Sequence, residues 1–224
     1  PRQSGRAGRA CLRPEQAATY AKGPPLTDTT TDTPDKTILA ADAPVQVQFA
    51  DLNLDAKVLR AVADTGYTTP TPIQAGAIPP ALAGRDVLGI AQTGTGKTAS
   101  FVLPMITLLG RGRARARMPR SLVLCPTREL AAQVAENFDT YAKHTKLTKA
   151  LLIGGVSFKE QDLLIDRGVD VLIATPGRLL DHFERGKLLL TGVQIMVVDE
   201  ADRMLDMGFI PDIERIFGLT PFTR

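Results

Sequence analysis

Long apolar stretches and cysteine are both scarce in this 224-residue sequence. No run approaches the roughly 18 apolar residues that a membrane-spanning helix needs, so no membrane anchor is predicted. Cys11 and Cys125 have no Cys or His neighbour at metal-site spacing, and a reducing, cytoplasmic compartment is the simplest interpretation. The first residues include no Met and no secretory signal, so we expect the chain to begin inside a longer reading frame or after processing.

The composition is typical of a globular protein with one sizeable core. Hydrophobic residues make up 44% of the sequence and charged residues 23%. The length suits a single domain. The net charge of +3 permits nucleic-acid binding but does not establish it, because the charge must lie on one face to matter. The sequence sets no oligomeric state.

The first 44 residues differ in composition from the rest. They contain six of the 16 prolines and a Thr-rich stretch at 27–37. Such a segment cannot bury enough apolar surface to offset the entropy of ordering. We therefore predict a disordered leader at 1–44 and one folded domain at 45–224. Arginines in the leader could contact nucleic acid, although a solvated tail is the simpler interpretation.

Beyond Phe49, short apolar runs alternate with helical patterns. A helix is predicted from Leu52 to its end at Gly66. The candidate strands are Val87–Ala91, Ser121–Cys125, Ala150–Ile153, Val171–Ala174 and Ile195–Val198. The candidate helices are Thr98–Leu109, Glu129–Ala142, Phe158–Asp166, Arg178–Glu184 and Ile210–Phe217. Unbroken apolar strands predict an α/β fold, with a parallel sheet covered by helices on both faces.

A loop of small residues follows the first candidate strand. Residues 91–98 read Ala-Gln-Thr-Gly-Thr-Gly-Lys-Thr and match a phosphate-binding loop, with Ala91 in place of the first glycine. Small residues let backbone N–H groups turn toward phosphates, and the next helix adds the positive end of its dipole. Lys97 would reach the β- and γ-phosphates, and the Thr98 hydroxyl would bind Mg²⁺. The alternative, a turn that only caps a helix, is disfavoured by the strand-then-helix context.

An acidic pair follows the last candidate strand. Asp199 and Glu200 point in different directions, so Asp199 can hold Mg²⁺ through water while Glu200 orients and deprotonates an attacking water. A strand that ends in a helix with acidic residues in its first turn would show the same pattern. The phosphate-binding loop about a hundred residues upstream favours nucleotide hydrolysis.

Residues 199–202, Asp-Glu-Ala-Asp, resemble the signature of the DEAD-box ATP-dependent RNA helicases of bacterial type. Residues 66–74 resemble the Q motif of that family, which implies that the Gln74 amide reads the adenine edge by donating and accepting at once. Phe49 corresponds in spacing to an upstream aromatic residue that stacks on adenine; a plain core position is the alternative. The resemblance implies a RecA-like P-loop NTPase domain, the amino-terminal one of two.

The same resemblance implies the composition of the site, with ATP and Mg²⁺ as cofactors. The ATP-binding residues would be Phe49, Tyr67, Thr69, Gln74, Ala91, Gln92, Thr93, Gly94, Thr95, Gly96, Lys97 and Thr98. The catalytic residues would be Glu200, Lys97 and Asp199, with Thr98 and Asp199 at the metal and Asp202 coupling to the second domain.

Three further matches follow the second, third and fourth candidate strands. They are Pro126-Thr127-Arg128, Gly154-Gly155 and Thr175-Pro176-Gly177-Arg178. Each offers backbone N–H groups, a hydroxyl or a guanidinium, which suit the sugar-phosphate backbone of RNA. Singly they are common turn and helix-start chemistry. Their order between the two nucleotide motifs, as in the family, implies RNA as a partner.

The resemblance runs from about Phe49 to Phe217 and then stops. Members of the family continue with a Ser-Ala-Thr motif, whose strand lies between the phosphate-loop strand and the Asp-Glu strand, and with a second RecA-like domain. We therefore expect a gap in the sheet, marginal stability and no strand separation by this chain alone. An inactive ATP- and RNA-binding fragment is the alternative function. A P-loop kinase or GTPase is disfavoured, because the Q motif matches and no guanine-reading element is found.

Two features lie outside every motif. Five arginines, at 111, 113, 115, 117 and 120, are interpreted as a solvated loop in preference to an RNA contact. His144 and His182 receive no role.

Overall fold

The computed structural model describes residues 47–92 and 94–221. The leader predicted at 1–44, with Cys11, lies outside these ranges, as does Thr93 of the phosphate-binding loop. Within the described ranges no helix is both long and apolar enough to cross a membrane.

A parallel sheet forms the centre of the domain. Its strands are β1 (Ser121–Leu124), β2 (Lys149–Leu152), β3 (Val171–Ala174) and β4 (Ile195–Val198), in the spatial order β2-β3-β1-β4. At the carboxyl end of β1, Leu124 is in register with the last residues of β3 and β4. Leu152 of β2 is likewise in register with the last residue of β3. The strands therefore end level with one another, and whatever follows them meets at one edge.

Helices follow most strands and cover both faces. They are α1 (Ala56–Asp64), α2 (Pro72–Leu82), α3 (Lys97–Leu109), α4 (Arg128–Ala142), α5 (Phe158–Arg167), α6 (Pro176–Glu184), α7 (Ala201–Asp206) and α8 (Ile210–Leu219), with 3₁₀ turns at Phe49–Leu52 and Leu190–Gly192. Alternate strand residues point to opposite faces: Val123 packs with the cluster under α1, α3 and α4, and Leu122 with the cluster under α5, α6 and α8. The α/β class with both faces covered is confirmed.

Two helical expectations need correction. The helix expected from Leu52 is a 3₁₀ turn and then α1, separated at Asn53, whose φ of 57° is left-handed. A new helix starts because the Asp55 carboxylate accepts a hydrogen bond from the Lys57 N–H at 2.9 Å. Helix α2 was not predicted, because Pro79 and Pro80 near its end resemble the residues that terminate a helix.

The strand predicted at Val87–Ala91 is wrong. The segment is irregular, and the side chains of Leu88 and Ile90 are each 88% exposed. An apolar run becomes a buried strand only when a neighbouring strand pairs with its backbone. In the described part of the chain β4 pairs with β1 alone, and no strand pairs with Val87–Ala91.

Three of the five arginines in the loop before β1 are exposed, as expected of a solvated loop, but Arg120 is anchored in the interior. Arg120 is buried and donates to the Leu109 carbonyl (2.9 Å), the Arg111 carbonyl (2.5 Å) and the Asp170 carboxylate (3.2 Å). Asp170, also buried, accepts further hydrogen bonds from the backbone N–H groups of Ala114 and Thr148. This correction follows because a buried guanidinium that satisfies several acceptors fixes the loop against the sheet.

We expect Asp170→Ala to lower the free energy of unfolding by about 3–5 kcal/mol, because it leaves the buried Arg120 charge without its partner. Urea unfolding followed by circular dichroism measures the change. The control is Asp166→Ala, which removes an exposed carboxylate 3.8 Å from Lys187 and should cost at most about 1 kcal/mol. Equal losses in the two variants would contradict the anchoring role.

Candidate functional site

The carboxyl edge of the sheet gathers the loops that carry the predicted site. Pro126 follows β1, Gly154 follows β2, Thr175 follows β3 and Asp199 follows β4. Backbone hydrogen bonds continue the sheet into these loops: the Thr175 N–H donates to Leu152 at 3.1 Å, and the Asp199 N–H to Leu124 at 2.9 Å. Ligands of open parallel sheets bind at this edge, in the crevice beyond the strands.

The phosphate-binding loop leads into α3, which begins at Lys97. Gly94 and Gly96 have φ values of 83° and 85°, in the left-handed region that glycine adopts without strain. A Cβ atom at Gly96 would collide with the amide group of Gln74. The loop therefore needs glycine at Gly96 for its backbone conformation and for the approach of Gln74.

Gln74 joins the Q-motif turn to the phosphate-binding loop. Its Oε1 accepts from the Thr71 N–H at 2.9 Å, and its Nε2 donates to the Gly96 carbonyl at 3.2 Å. A primary amide can accept two hydrogen bonds and donate two. The Oε1 of the buried Gln74 can therefore accept one more hydrogen bond, and its Nε2 can donate one more. An adenine edge would use one of each.

A cleft of about 540 Å³ lies between the Q-motif turn, the phosphate-binding loop and the acidic pair. This volume falls in the usual range for small-molecule sites. The predicted residues that line it are Tyr67, Thr69, Gln74, Gly94, Gly96, Lys97, Thr98, Asp199 and Glu200. A smaller adjoining cleft shares Lys97 and Glu200 and adds Ala91, Gln92 and Asp202. The structure therefore brings together the nucleotide motifs that are separated in sequence.

Two predicted ATP-binding residues lie elsewhere. Phe49 is 6% exposed and packs in the core cluster beside the helices α1 and α3. Its predicted stacking on adenine stays a prediction. The Thr95 hydroxyl donates to the Gln92 carbonyl at 2.7 Å, a hydrogen bond within the phosphate-binding loop that stabilises its turn.

The pKa of Asp199 depends on both its burial and the charges around it. Burial, and then the neighbouring Glu200, raise the pKa of Asp199, which Lys97 and the Glu200 N–H only partly oppose. The pKa of the buried Cys125 thiol is raised to about 12 by burial, with smaller contributions from the same two carboxylates. A buried carboxylate with a raised pKa beside a second carboxylate is a typical feature of functional sites.

Glu200 has an unusual backbone conformation. Its φ of 51° is left-handed, which is uncommon for a residue other than glycine. The Arg203 guanidinium lies 3.4 Å from its carboxylate, and α7 begins at the next residue. Strained residues of this kind cluster at functional sites, where the surroundings hold them in place.

One wall of the cleft was missed by the sequence analysis. Leu130, Gln133, Val134, Asn137 and Tyr141 of α4 line it. Their spacing of three and four residues places them on one face of the helix. The signal available in the sequence was a helical stripe that carries Gln133 and Asn137 among apolar residues.

The three loops predicted to contact RNA meet at Gly154-Gly155. Arg128, from the loop after β1, donates to the Gly154 carbonyl at 3.4 Å. Arg178, from the loop after β3, donates to the Ile153 carbonyl at 3.0 Å and to the Val156 carbonyl at 2.6 Å. The loops after β1, β2 and β3 are thus connected to one another by hydrogen bonds at the carboxyl edge of the sheet.

The remaining residues of these loops shape the starts of helices. The Thr127 hydroxyl caps α4 by accepting from the Leu130 N–H at 3.3 Å. Pro126 and Pro176 are buried, and Pro176 begins α6. Gly177 is exposed and has no atom near the position of a Cβ. The loops after β1 and β3 therefore lead directly into the first turns of α4 and α6.

Comparison with known proteins agrees with this geometry. The profile of the DEAD/DEAH box helicase family matches residues 71–223. The chain is 50% identical over 174 residues to the ATP-dependent RNA helicase DeaD of Mycobacterium tuberculosis (strain ATCC 25618 / H37Rv), covering 77% of this chain and 30% of the relative. It is 49% identical over 177 residues to the ATP-dependent RNA helicase SrmB of Escherichia coli (strain K12), covering 79% of this chain and 40% of the relative.

A crystal structure of a DEAD box protein from the hyperthermophile Methanococcus jannaschii superposes with a TM-score of 0.73 at 37% identity. The match covers 79% of this chain and 48% of that protein. The chain spans about a third of the length of the two curated relatives described above. With the family profile covering most of the chain and the loops in place, the chain belongs to the DEAD/DEAH box helicase family.

Proposed function

We propose that this domain binds ATP with Mg²⁺ in the cleft and the sugar-phosphate backbone of RNA along the adjoining loops. In a protein with a second RecA-like domain, it would couple ATP hydrolysis to local separation of RNA strands. The observation that carries the proposal is the convergence of Lys97, Asp199 and Glu200 on one cleft beside the linked RNA loops.

The residues of the cleft fit a magnesium nucleotide. Lys97 supplies a cation for the β- and γ-phosphates, and the glycine turns leave backbone N–H groups free to face them. Thr98 and Asp199, the latter through water, would hold Mg²⁺, which prefers oxygen ligands and retains several waters. The raised pKa of Asp199 supports this assignment, because a bound cation would stabilise its ionised form. Mg²⁺ would supply neutralisation of phosphate charge in the transition state.

Glu200 is suited to the proton transfer of hydrolysis. Its carboxylate would accept a proton from water while the water oxygen bonds to the γ-phosphorus. The bond from that phosphorus to the β–γ bridging oxygen breaks, and ADP leaves with the electron pair. Asp199 and Glu200 both line the cleft, and successive residues at a strand end can serve separate tasks, with Asp199 at the metal and Glu200 at the attacking water.

RNA would contact the loops without base recognition. Their groups are guanidinium, hydroxyl and backbone N–H, which suit phosphate and ribose. The cations named for this contact are Arg128 and Arg178, and the hydroxyls are Thr127 and Thr175. Asp202, exposed in the smaller cleft, would communicate with the second domain. A reducing cytoplasm, in which the buried Cys125 stays a thiol, completes the proposal.

Glu200→Gln should abolish hydrolysis but retain ATP binding, because the amide keeps its size and cannot accept the proton. We expect RNA-stimulated phosphate release to fall by about 10²–10⁴-fold. The assay uses a protein with both RecA-like domains, and nucleotide affinity is measured in parallel. Unchanged turnover would refute the role of Glu200. An unmodified two-domain protein that binds both ligands without turnover would favour the inactive binding module.

Asp199→Asn should raise the melting temperature of the nucleotide-free chain at pH 7. The pKa of Asp199 is higher in the folded protein than in the unfolded chain. Its carboxyl group therefore lowers the free energy of unfolding as pH rises from the unfolded pKa to the folded pKa, and the full loss of stability is present above the folded pKa. Asparagine removes the buried charge, so the difference between the proteins should shrink as pH falls toward about 4.

Differential scanning fluorimetry from pH 4 to pH 8 measures this difference. Asp202→Asn, at an exposed position in the first turn of α7, is the control and should shift the melting temperature little at any pH. A lower melting temperature for Asp199→Asn at pH 7, or a difference independent of pH, would contradict the prediction.

A further inference from the structure

The buried side chain of Gln161, which lies outside every motif, contacts the backbone at the start of the Gly154-Gly155 loop. The Ile153 carbonyl, immediately before the loop, accepts from the Gln161 amide at 3.0 Å as well as from Arg178. Gln161 lies on α5 and is 2% exposed. The carbonyl that begins the loop therefore has two donors, one from the RNA loop after β3 and one from the protein interior.

Gln161 is itself oriented by a buried histidine. Its Oε1 lies 2.8 Å from the Nε2 of His182 on α6. Because the Gln161 amide nitrogen already faces a carbonyl, its oxygen must accept, and His182 must therefore carry a proton on Nε2. The other ring nitrogen lies 3.0 Å from the Asp162 carboxylate.

Both the neutral ring protonated on Nε2 and the charged ring can donate to Gln161, whereas donation to Asp162 as well requires the charged ring, with a proton on each nitrogen. Burial lowers the pKa of His182 and outweighs the opposing effect of Asp162, while the charges of Arg178 and Arg185 lower it further. A neutral imidazole with its proton on Nε2 can donate to Gln161. The hydrogen bond between His182 and Gln161 therefore does not depend on a charged histidine.

The same group reaches Arg178 through an aromatic ring. The Arg178 guanidinium lies 3.8 Å from the centre of the Phe158 ring, and Arg185 lies 4.3 Å from it. The ring meets His182 edge-on, with 5.1 Å between centroids. Phe158 thus contacts both Arg178 and the histidine that orients Gln161.

We propose that Gln161 and His182 are positioning residues for RNA binding, which hold the Gly154-Gly155 loop in register with the Arg178 guanidinium. The proposal rests on the RNA contact proposed for these loops. Apolar packing already joins α5 and α6 through Ile165, Leu179 and Leu180. The hydrogen bonds from His182 to Gln161 and from Gln161 to the Ile153 carbonyl additionally fix the orientation of the loop backbone, because hydrogen bonds are directional and apolar contacts are not.

The test compares pairs of variants of the 224-residue chain. His182→Met removes the Nε2 donor, whereas the amide nitrogen of His182→Gln can take its place and donate to Gln161. Gln161→Met removes the donor to Ile153 at similar volume, and Gln194→Met makes the same change at an exposed position before β4. Fluorescence anisotropy with a labelled ten-nucleotide oligouridine measures RNA affinity. A fluorescent ATP analogue measures nucleotide affinity at a temperature where every variant is folded.

We expect Gln161→Met and His182→Met to weaken RNA binding roughly 3- to 10-fold, the effect of losing one directed hydrogen bond. Nucleotide affinity should stay within about twofold of the unmodified chain. Gln194→Met should have no effect, and His182→Gln should bind RNA more tightly than His182→Met.

Three results would overturn the proposal: unchanged RNA affinity in both methionine variants, equal losses of RNA and nucleotide affinity, or no recovery in His182→Gln. The variant Arg128→Gln distinguishes a failure of the positioning role from a failure of the proposed RNA binding. If Arg128→Gln weakens RNA binding and Gln161→Met does not, only the positioning role is refuted. If the unmodified chain has no affinity for RNA, both the proposed function and the positioning role are refuted.

Discussion

The parallel pairing of β1 between β3 and β4 is the constraint on which the site depends. Leu124 ends level with Ala174 on one side and with Val198 on the other. A slip of one residue would turn every strand side chain to the opposite face and would displace the loops that follow. The register therefore determines the packing of the hydrophobic clusters on both faces of the sheet. It also determines which loops meet at the carboxyl edge.

Guanidinium groups connect this sheet to its loops at both ends. Arg120 anchors the loop before β1 through two carbonyls and Asp170. Arg178, at the opposite edge, spans the two carbonyls that flank Gly154-Gly155. Arginine suits both positions because its planar group offers five donors in fixed directions and stays charged when buried. Lysine would provide charge but could not span two carbonyls in the same way.

The nucleotide cleft combines rigid and unfavourable features. Gln74 fixes the phosphate-binding loop to the Q-motif turn, while Asp199 carries a charge that its surroundings disfavour and Glu200 has a strained backbone. A buried charge and a left-handed residue cost stability, and a bound cation would offset the charge of Asp199. The exposed apolar residues Leu88 and Ile90 lie just before the same loop, in a segment that pairs with no strand in the described part of the chain.

The sequence by itself determined the family, the α/β class and most elements to within one or two residues, because apolar periodicity and motif spacing are local properties. The phosphate-binding loop and the acidic pair were predicted because their residue types and their order match the motifs of the family, although the acidic pair alone also fits the start of a helix. The sequence could not decide whether Val87–Ala91 becomes a strand, because that depends on a partner elsewhere. Only the tertiary structure assigned Arg120 to the interior, α4 to the cleft wall, and Gln161 and His182 to positions behind the Gly154-Gly155 loop. These assignments depend on which distant side chains meet in space, and no spacing along the chain encodes that.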